Sequence, residues 1–452
     1  MKTRNLFAII ILLITSQAFA AEKKSFRPTS ASEKESHMTW WREARFGMFV
    51  HWGLYSGLAG TWKGQEVGGG GGTQQRVRVD TWEYAQEAIP RFHPTEDFAK
   101  QWAQLAKEAG CRYIVFTTKH HDGFSLHDSK TTTYDAKDVL GRDLCQEIVE
   151  ATKAEGLKVG LYHSLIDWHH PQYDYVAAQP LRHPLQDRPF ANGPRNHSLY
   201  VDYLHRQVEE LMTHYGTIDI VWWDSSRENA EGPFWRSDEL LAMVRKHQPK
   251  ILSNNKLYRP QRLQGQLNTK QGDFISQEGR APANGLPGVD WEFCTSTNYS
   301  WGYNEHNQAW RSDEELIHNL IDIVSKGGNF LLNISPKGDG SIPEGDLKAM
   351  TAIGRWMKVN SESIYGTTAS PLEQPTWGRY TQKANKLYAH VFQWPEDGKL
   401  TIPAQSMKAT QAYLLADKQH KPLKIDQTSD GMIVHLPATA TDPIATVVVT
   451  EH

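Results

Sequence analysis

"RYIVFTTKHHDGF", residues 112–124, joins an apolar run to two adjacent histidines and an aspartate. The apolar run predicts a buried strand, and His120, His121 and Asp122 follow directly where that strand should end. Parallel barrels gather the carboxyl ends of their strands on one face and build their sites there. The stretch is therefore typical of a parallel barrel whose functional groups lie at the carboxyl ends of its strands.

The same pattern recurs along the chain, where short apolar runs alternate with amphipathic stretches. A helix is also predicted to begin at Ser312, with Glu315 completing a capping box, and to end at "KGG". Further strands are predicted at 47–53, 158–164, 219–224, 250–255 and 329–335, and helices at 98–110, 144–156 and 203–216.

This order favours a (β/α)-barrel over a doubly wound sheet, because nearly every predicted strand ends in a polar side chain. Residues 21–368 are assigned to the barrel domain, and the glycine run 68–72 is expected to be a mobile loop near its mouth. Residues 369–452 alternate apolar and polar positions between turn residues, which predicts a small antiparallel β-domain that braces the barrel. The strand-end groups are His51, His120, His121, His163, Asp224 and Asn255.

Composition limits the partners. A formal charge of −3 across 452 residues provides neither the basic stripe that nucleic acid requires nor a polybasic membrane patch. A neutral or mildly polar small molecule fits best. The 16 Trp and 17 Tyr suit the C–H faces of sugars, although they are equally good core residues.

The N-terminus has the pattern of a secretory signal peptide. Lys2 and Arg4 precede "LFAIIILLI", and "AFA" at 18–20 predicts cleavage after Ala20, so residues 1–20 are assigned to the signal peptide. We therefore expect a periplasmic or secreted protein without a membrane anchor. The three cysteines predict free buried thiols.

Metal binding is the obvious alternative use of His120 and His121. Neighbouring residues on a regular strand point to opposite faces, and no His-x-x-x-His helix or cysteine pair accompanies them. We therefore expect no metal and no cofactor. Where the strand loses its pleat, both rings could reach one polar ligand and bind its hydroxyls.

Asp224 is the strongest candidate acid. It ends the apolar strand "DIVWWD", with Trp222 predicted on its side of the strand and Trp223 on the other. A structural salt bridge is the alternative use of this carboxylate. A second acid is expected at Glu278 or Glu292, both interpreted as lying in loops after a strand. Two carboxylates at an aromatic barrel mouth indicate glycoside hydrolysis.

The sequence resembles a known family, the retaining α-L-fucosidases of glycoside hydrolase family 29. The resemblance spans roughly residues 38–368 and implies a (β/α)8-like TIM barrel, a C-terminal antiparallel β-sandwich, a double-displacement mechanism and no metal. It rests on an ordered set of motifs: "ARFGMFVHWGLYS", "TTKHHDGF", "GLYHSLIDWHHP", "VWWDS", "WEFCTSTNYSWGY" and "VSKGGNFLLNISPKGDGSIP".

The resemblance implies a role for individual residues. Asp224 matches the nucleophile, and Glu278 in "FISQE" matches the acid/base of the family. His51, His120 and His121 match residues that bind fucose hydroxyls. His163 and Trp301 match two further pocket positions, with Trp301 beside the fucose methyl group, and Trp62 is a looser match. Trp222, predicted on the Asp224 side of its strand, is also expected to bind the substrate.

The sequence departs from the family pattern at three positions. Trp223 and Ser225 flank the nucleophile where phenylalanine and glycine are common, and Lys256 stands where relatives commonly have arginine. The expected activity is exo-acting hydrolysis of terminal α-L-fucosyl residues from oligosaccharides or glycoconjugates. Two alternatives are a retaining exo-glycosidase for another sugar, such as a galactoside, and a non-catalytic sugar-binding protein on the same fold.

Overall fold

The computed structural model describes residues 31–174, 183–185, 194–226, 230–258, 272–404 and 408–452. The predicted signal peptide, residues 1–20, lies outside these ranges. So does much of the irregular connection between the third and fourth strands of the barrel.

Eight parallel strands form one curved sheet. They are β1 (Phe46–Val50), β4 (Tyr113–Lys119), β5 (Lys158–Ser164), β6 (Ile220–Asp224), β7 (Leu252–Ser253), β8 (Ile275–Glu278), β9 (Trp291–Ser296) and β10 (Asn329–Ile334). A two-stranded hairpin, β2 (Thr61–Trp62) with β3 (Gln65–Glu66), stands apart from this sheet. The spatial order of the sheet is β7-β6-β5-β4-β1-β10-β9-β8, and a parallel bridge between Asn254 and Phe274 joins its two edges.

The helices precede the barrel, lie between its strands or, in one case, follow its last strand. They are α1 (Ala31–Ala44), α2 (Leu54–Leu58), α3 (Thr73–Val77), α4 (Thr81–Ala88), α5 (Phe98–Glu108), α6 (Ala136–Leu140), α7 (Leu144–Ala154), α8 (His197–His214), α9 (Ser237–His247), α10 (Asp313–Ser325) and α11 (Glu344–Asn360). The barrel prediction is confirmed.

Alternation along the strands separates two hydrophobic layers. Tyr162 and Trp222 belong to a small cluster inside the barrel. Leu161 and Trp223, one position away on the same strands, belong to the larger cluster between the strands and the helices. A side chain two residues beyond Trp222 should therefore face the barrel axis, and that residue is Asp224.

Two strands were missed by the sequence analysis. Residues 275–278 form β8 and residues 291–296 form β9, so Glu278 ends a strand and Glu292 lies within one. The loop assignment of both glutamates is wrong, because a polar residue at a strand end and an acid inside the barrel break the apolar pattern of a buried strand. The Ser312 side chain accepts from the Glu315 backbone N–H as predicted. The Glu315 carboxylate pairs instead with Arg311.

The C-terminal strands form two antiparallel sheets with a hydrophobic cluster of their own. The Trp356 Nε1–H of α11 donates to the Ala445 carbonyl at 2.9 Å, and Arg379 pairs with Asp322 of α10 at 2.6 Å. These contacts brace the barrel. The strands are β11 (Gly378–Lys383), β12 (Lys386–Val391), β13 (Lys399–Pro403), β14 (Gln411–Leu414), β15 (Ile425–Thr428), β16 (Gly431–His435) and β17 (Thr446–Glu451).

Two further findings bear on the sequence analysis. Cys111, Cys145 and Cys294 are free and buried, as predicted. Within the described ranges no helix is both long enough and apolar enough to cross a membrane.

Candidate active site

A cavity of about 420 Å³ opens at the carboxyl ends of the barrel strands. Its size is in the range of small-molecule pockets. Two of the three candidate carboxylates, three of the four predicted histidines and two of the three predicted tryptophans meet on its wall. The lining residues are Phe49, His51, Gly69, Gly70, Gly71, Gly72, Arg76, His120, His121, Trp222, Asp224, Glu278, Tyr299, Ser300 and Trp301.

A bulge explains how two adjacent histidines face the same cavity. Thr117 pairs with Tyr162 and Lys119 pairs with the next residue of β5, so Thr118 is the extra residue. Lys119 consequently points outward to a fully buried ion pair with Asp167 at 2.9 Å. The alternation then resumes, so His120 is directed inward. A turn begins there and brings His121 to the pocket as well.

Two histidines are held in defined tautomers by second partners. The Asn333 amide donates to the Trp301 carbonyl at 2.8 Å, so its oxygen accepts from the His51 Nδ1–H at 2.7 Å. The Ser164 hydroxyl donates to a backbone carbonyl, so it accepts from the His121 Nδ1–H, also at 2.7 Å. In His51 this leaves Nε2 for a ligand, whereas the His121 Nε2 also lies 3.5 Å from the Ser225 hydroxyl oxygen. Burial lowers the pKa of His51 to about 4, so this imidazole is neutral at ordinary pH.

His120 is fixed mainly by packing. Its ring lies parallel to the Tyr162 ring, with 5.6 Å between centroids, and burial lowers its pKa well below the usual value. The glycine loop packs against the same ring, and a Cβ on Gly71 would lie 1.9 Å from the imidazole Cε1. Only glycine fits there. The loop was expected near the barrel mouth, and it forms one wall of the pocket.

Asp224 ends β6 inside the cavity. One carboxylate oxygen accepts from the Tyr162 hydroxyl at 2.8 Å, and the other lies 3.3 Å from the Lys256 ammonium. The His121 Nε2 is 3.9 Å away. Burial alone would raise the pKa of Asp224, but Lys256, His121 and the Tyr162 hydroxyl outweigh burial and hold that pKa well below its usual value. The carboxylate is therefore ionised throughout the physiological range.

Lys256 contacts both candidate acids. Its ammonium pairs with Asp224 and with Glu278, and it lies 4.2 Å from the centre of the Trp222 ring. The Glu278 side chain is 38% exposed, against 20% for Asp224. One carboxylate is thus enclosed, whereas the other reaches solvent at the mouth.

Glu292 does not line the cavity. It is fully buried in the barrel, where its carboxylate accepts from the Tyr113 hydroxyl at 2.8 Å and from the Trp222 Nε1–H at 3.0 Å. Burial raises its pKa to about 7. The expectation that Glu292 lies at the barrel mouth is therefore wrong. Its carboxylate lies beneath the pocket, where it contacts the Trp222 ring of the pocket wall.

Two expected substrate-binding residues also lie elsewhere. His163 is one residue out of phase with Tyr162 and points to the outer layer, where its Nδ1 contacts the Thr118 hydroxyl at 2.9 Å. Trp62 stacks on the Tyr84 ring at 6.2 Å and is outside the pocket wall. His163 follows the period-two rule that should have placed it outside.

Tyr162 is a site residue that the sequence analysis missed. It bonds to Asp224 and supports His120. The signal was present in "KVGLYHS", because Tyr162 has the strand phase of an inward-facing residue. Asn333 was missed for a different reason, since its role depends on β1 and β10 pairing and bringing His51 beside it.

The part of the chain that the structure describes contains no group of three His, Cys, Asp or Glu side chains placed to hold a metal ion. The cavity brings together two carboxylates, histidines, aromatic rings and Arg76, and the Lys256 ammonium contacts both carboxylates. Such a set can bind a neutral polyhydroxyl ring against an aromatic wall and place an acid on either side of one bond.

Comparison with known proteins agrees with this geometry. A family model described as alpha-L-fucosidase matches residues 13–362, and one described as alpha-L-fucosidase C-terminal domain matches residues 372–449. This chain belongs to the α-L-fucosidase family.

Individual α-L-fucosidases are similar to this chain along most of their length. The alpha-L-fucosidase of Dictyostelium discoideum is 30% identical over 431 residues, covering 89% of each chain. Alpha-L-fucosidase isoenzyme 1 from Paenibacillus thiaminolyticus superposes with a TM-score of 0.85 at 38% identity, covering 93% of this chain and 99% of that one.

A third relative carries mechanistic information. It is a GH29 alpha-L-fucosidase from Bacteroides thetaiotaomicron, solved as a covalent intermediate trapped with 2-fluoro-fucosyl fluoride in a glutamate-to-glutamine mutant. Its TM-score is 0.80 at 27% identity, with 92% of this chain and 96% of that one covered. The present chain is thus a GH29 α-L-fucosidase, a glycoside hydrolase whose substrates carry a fucosyl group. These similarities favour neither the galactoside nor the sugar-binding alternative.

Proposed function

We propose that this protein is a secreted, exo-acting α-L-fucosidase in which Asp224 is the nucleophile and Glu278 the acid/base of a retaining double displacement. The observation that carries the proposal is the contact of one Lys256 ammonium with both carboxylates. Such a pair is closely spaced, as retaining enzymes need at about 5–5.5 Å, whereas inverting enzymes need about 6.5–9.5 Å to admit water. The covalent intermediate trapped in the Bacteroides relative is consistent with this chemistry.

The closed end of the pocket is proposed to hold a single fucose. His51, His120 and His121 line it with imidazoles that can bond to ring hydroxyls, and Trp222 and Trp301 supply flat apolar faces. Fucose has a methyl group where a galactoside carries a hydroxymethyl group. The apolar wall at Trp301 therefore suits the deoxy sugar, because a hydroxyl buried there would lose its hydrogen bonds to water.

The first step forms the covalent intermediate. The ionised Asp224 Oδ atom attacks the anomeric carbon as the bond to the leaving oxygen breaks, and Glu278 gives its proton to that oxygen. Tyr162 and Lys256 hold the attacking carboxylate in place. The exposure of Glu278 at the mouth suits a group that must exchange protons with solvent.

The second step releases fucose. Glu278, now ionised, takes a proton from a water molecule whose oxygen attacks the anomeric carbon, and the bond to Asp224 breaks. Two inversions return the original configuration. Asp224 leaves as a carboxylate, which the Lys256 ammonium and the Tyr162 hydroxyl stabilise.

Substitutions distinguish the roles of Asp224 and Glu278. A good leaving group departs without a proton from the acid, whereas no leaving group makes the nucleophile dispensable. Asp224→Gly should lose about 10⁴-fold or more in kcat on every fucoside. Glu278→Ala should lose about 10²–10⁴-fold on a fucosyl oligosaccharide and far less on 4-nitrophenyl α-L-fucoside, with azide restoring turnover of the latter. Steady-state kinetics on both substrates measures the difference.

Glu292→Gln is the matched control for these variants. It removes a carboxylate of the same barrel that does not line the pocket and contacts a lining residue only through the Trp222 Nε1–H. Whatever rate it loses should be lost equally on both substrates. A selective loss on the oligosaccharide in Glu292→Gln, with Glu278→Ala resembling the wild type, would reject Glu278 as the acid/base.

Lys256 is predicted to set the pH profile. Asp224 is faced by Lys256 after β7, by His120 and His121 after β4, by Tyr162 on β5 and, through Lys256, by Glu278 on β8. Among the groups that lower the pKa of Asp224, the Lys256 ammonium acts most strongly, so removing it raises that pKa. In Lys256→Met the acid limb of the kcat/KM profile should move to higher pH by about one unit or more.

Lys256→Arg is the control for charge at this position. It should retain the wild-type limbs, since it keeps a cation between the two carboxylates. A Lys256→Met profile that only falls in height, with its acid limb in place, would show that the ammonium serves packing and does not set the charge of Asp224.

Secretion is proposed from residues 1–20 alone, whose basic start, apolar run and small-residue end form an export signal. The exported protein should begin at Ala21, which N-terminal sequencing of periplasmic or medium fractions would read directly. An intact Met1 on the extracellular protein, or enzyme retained inside the cell, would contradict it.

A further inference from the structure

The pocket mouth carries an exposed aromatic ring whose use the hydrolysis of fucose does not explain. Among the aromatic side chains on the wall, Phe49 and Trp222 are buried and Trp301 is half-buried, whereas Tyr299 is 63% exposed. Tyr299 follows β9, which pairs with the strand β8 that Glu278 ends, and both residues line the pocket. An exposed tyrosine on the rim can contact only a part of the substrate that extends out of the pocket.

The backbone at Tyr299 is in an unfavourable conformation. Its φ is 62°, in the left-handed region that glycine or asparagine adopts far more readily than an aromatic residue. The chain is held there on both sides. The Ser300 N–H donates to the Asn298 side chain at 3.1 Å, and the Trp301 carbonyl accepts from Asn333 of β10 at 2.8 Å. A bulky ring retained in a strained position points to a function for the ring.

Arg311 braces one face of this ring. Its guanidinium carbon lies 3.8 Å from the ring centre. Its nitrogens are in turn bonded to the Ser296 carbonyl at 2.9 Å, to the Thr295 hydroxyl at 3.4 Å and to the Glu315 carboxylate. The platform is therefore rigid before any ligand arrives. With one face covered and most of the side chain exposed, the opposite face is open to a ligand.

We propose that Tyr299 forms the subsite for the leaving sugar, stacking on the C–H face of the pyranose to which the fucosyl group is attached. This rests on the proposed function, since Glu278 must touch the glycosidic oxygen and the leaving sugar must extend from that oxygen toward the rim. Flat aromatic faces pack against apolar sugar faces. A pyranose is therefore the chemical class that this platform recognises, and the same face holds an acceptor sugar in place of water when the enzyme transfers fucose.

The test uses α-L-fucosyl fluoride as donor, because fluoride leaves without occupying the rim. The fucosyl-enzyme is then partitioned between two acceptors, methyl β-D-galactopyranoside and methanol, and both products are measured in the same reaction. In Tyr299→Gly the ratio of transfer to the pyranoside over transfer to methanol should fall about five- to tenfold, the range that one aromatic contact supplies. Tyr299→Phe should keep the wild-type ratio.

Two controls exclude a general effect of removing an exposed ring and a loss of stability. Trp82→Ala removes another exposed aromatic ring, 73% exposed on α4 and outside the pocket wall, and should leave the ratio unchanged. Tyr299→Gly relieves the left-handed strain, so its thermal midpoint should equal or exceed that of the wild type.

The outcomes are distinguishable. An unchanged ratio in Tyr299→Gly, or an equal fall in transfer to both acceptors, would overturn the subsite while leaving the catalytic assignment standing. Absence of fucosyl fluoride turnover by the wild-type protein would overturn the proposed function and the subsite with it. A fall in the ratio for Tyr299→Phe as large as that for Tyr299→Gly would show that the hydroxyl, and not stacking, is recognised.

Discussion

One ammonium group between two carboxylates is the interaction on which the site depends. Asp224 is enclosed by a tryptophan, a tyrosine and two histidines, and burial of a carboxylate in such surroundings favours its neutral form. Lys256 reverses that preference. The same cation reaches Glu278, which stands nearer to solvent. A buried nucleophile can thus remain ionised at the bottom of a pocket made largely of aromatic rings.

The barrel supplies the geometry that this interaction needs. Asp224 ends β6, Glu278 ends β8, and Lys256 follows β7 between them, so three neighbouring strands deliver the charged groups to one edge. The histidines arrive from β1 and β4 on the other side of Asp224. Glu292 lies one layer deeper, where it accepts a hydrogen bond from Trp222. Glu292 thus supports Trp222 from within the barrel, whereas the two proposed catalytic carboxylates lie at the barrel mouth.

The sequence was sufficient for the barrel, the C-terminal domain and the main members of the site, because strand-end polar residues leave a local signal. Asp224 could be predicted from its strand phase with Trp222. The bulge at Thr118, which changes the phase of β4, could not be foreseen from period two. The errors have physical causes. Glu292 was placed at the mouth because β9 was not recognised, and His163 was assigned by resemblance against its own strand phase.

Other site features depend on contacts between distant segments. The tautomer of His51 follows from Asn333, and the tightness of the pocket at His120 follows from Gly71, residues far away in the sequence. The brace on Tyr299 by Arg311 also requires a folded loop. Such relations are set by tertiary packing, so a single sequence read locally gives no sign of them.

The stereochemistry of hydrolysis tests the central claim, the closely spaced pair of Asp224 and Glu278, most directly. Proton NMR of a reaction on an α-L-fucoside, recorded before the product mutarotates, identifies the anomer of the first fucose released. The double displacement proposed for Asp224 and Glu278 requires α-L-fucose to form first and the β-anomer to grow in later. Initial release of β-L-fucose would mean that water attacks directly, and it would contradict the role of Asp224 as nucleophile.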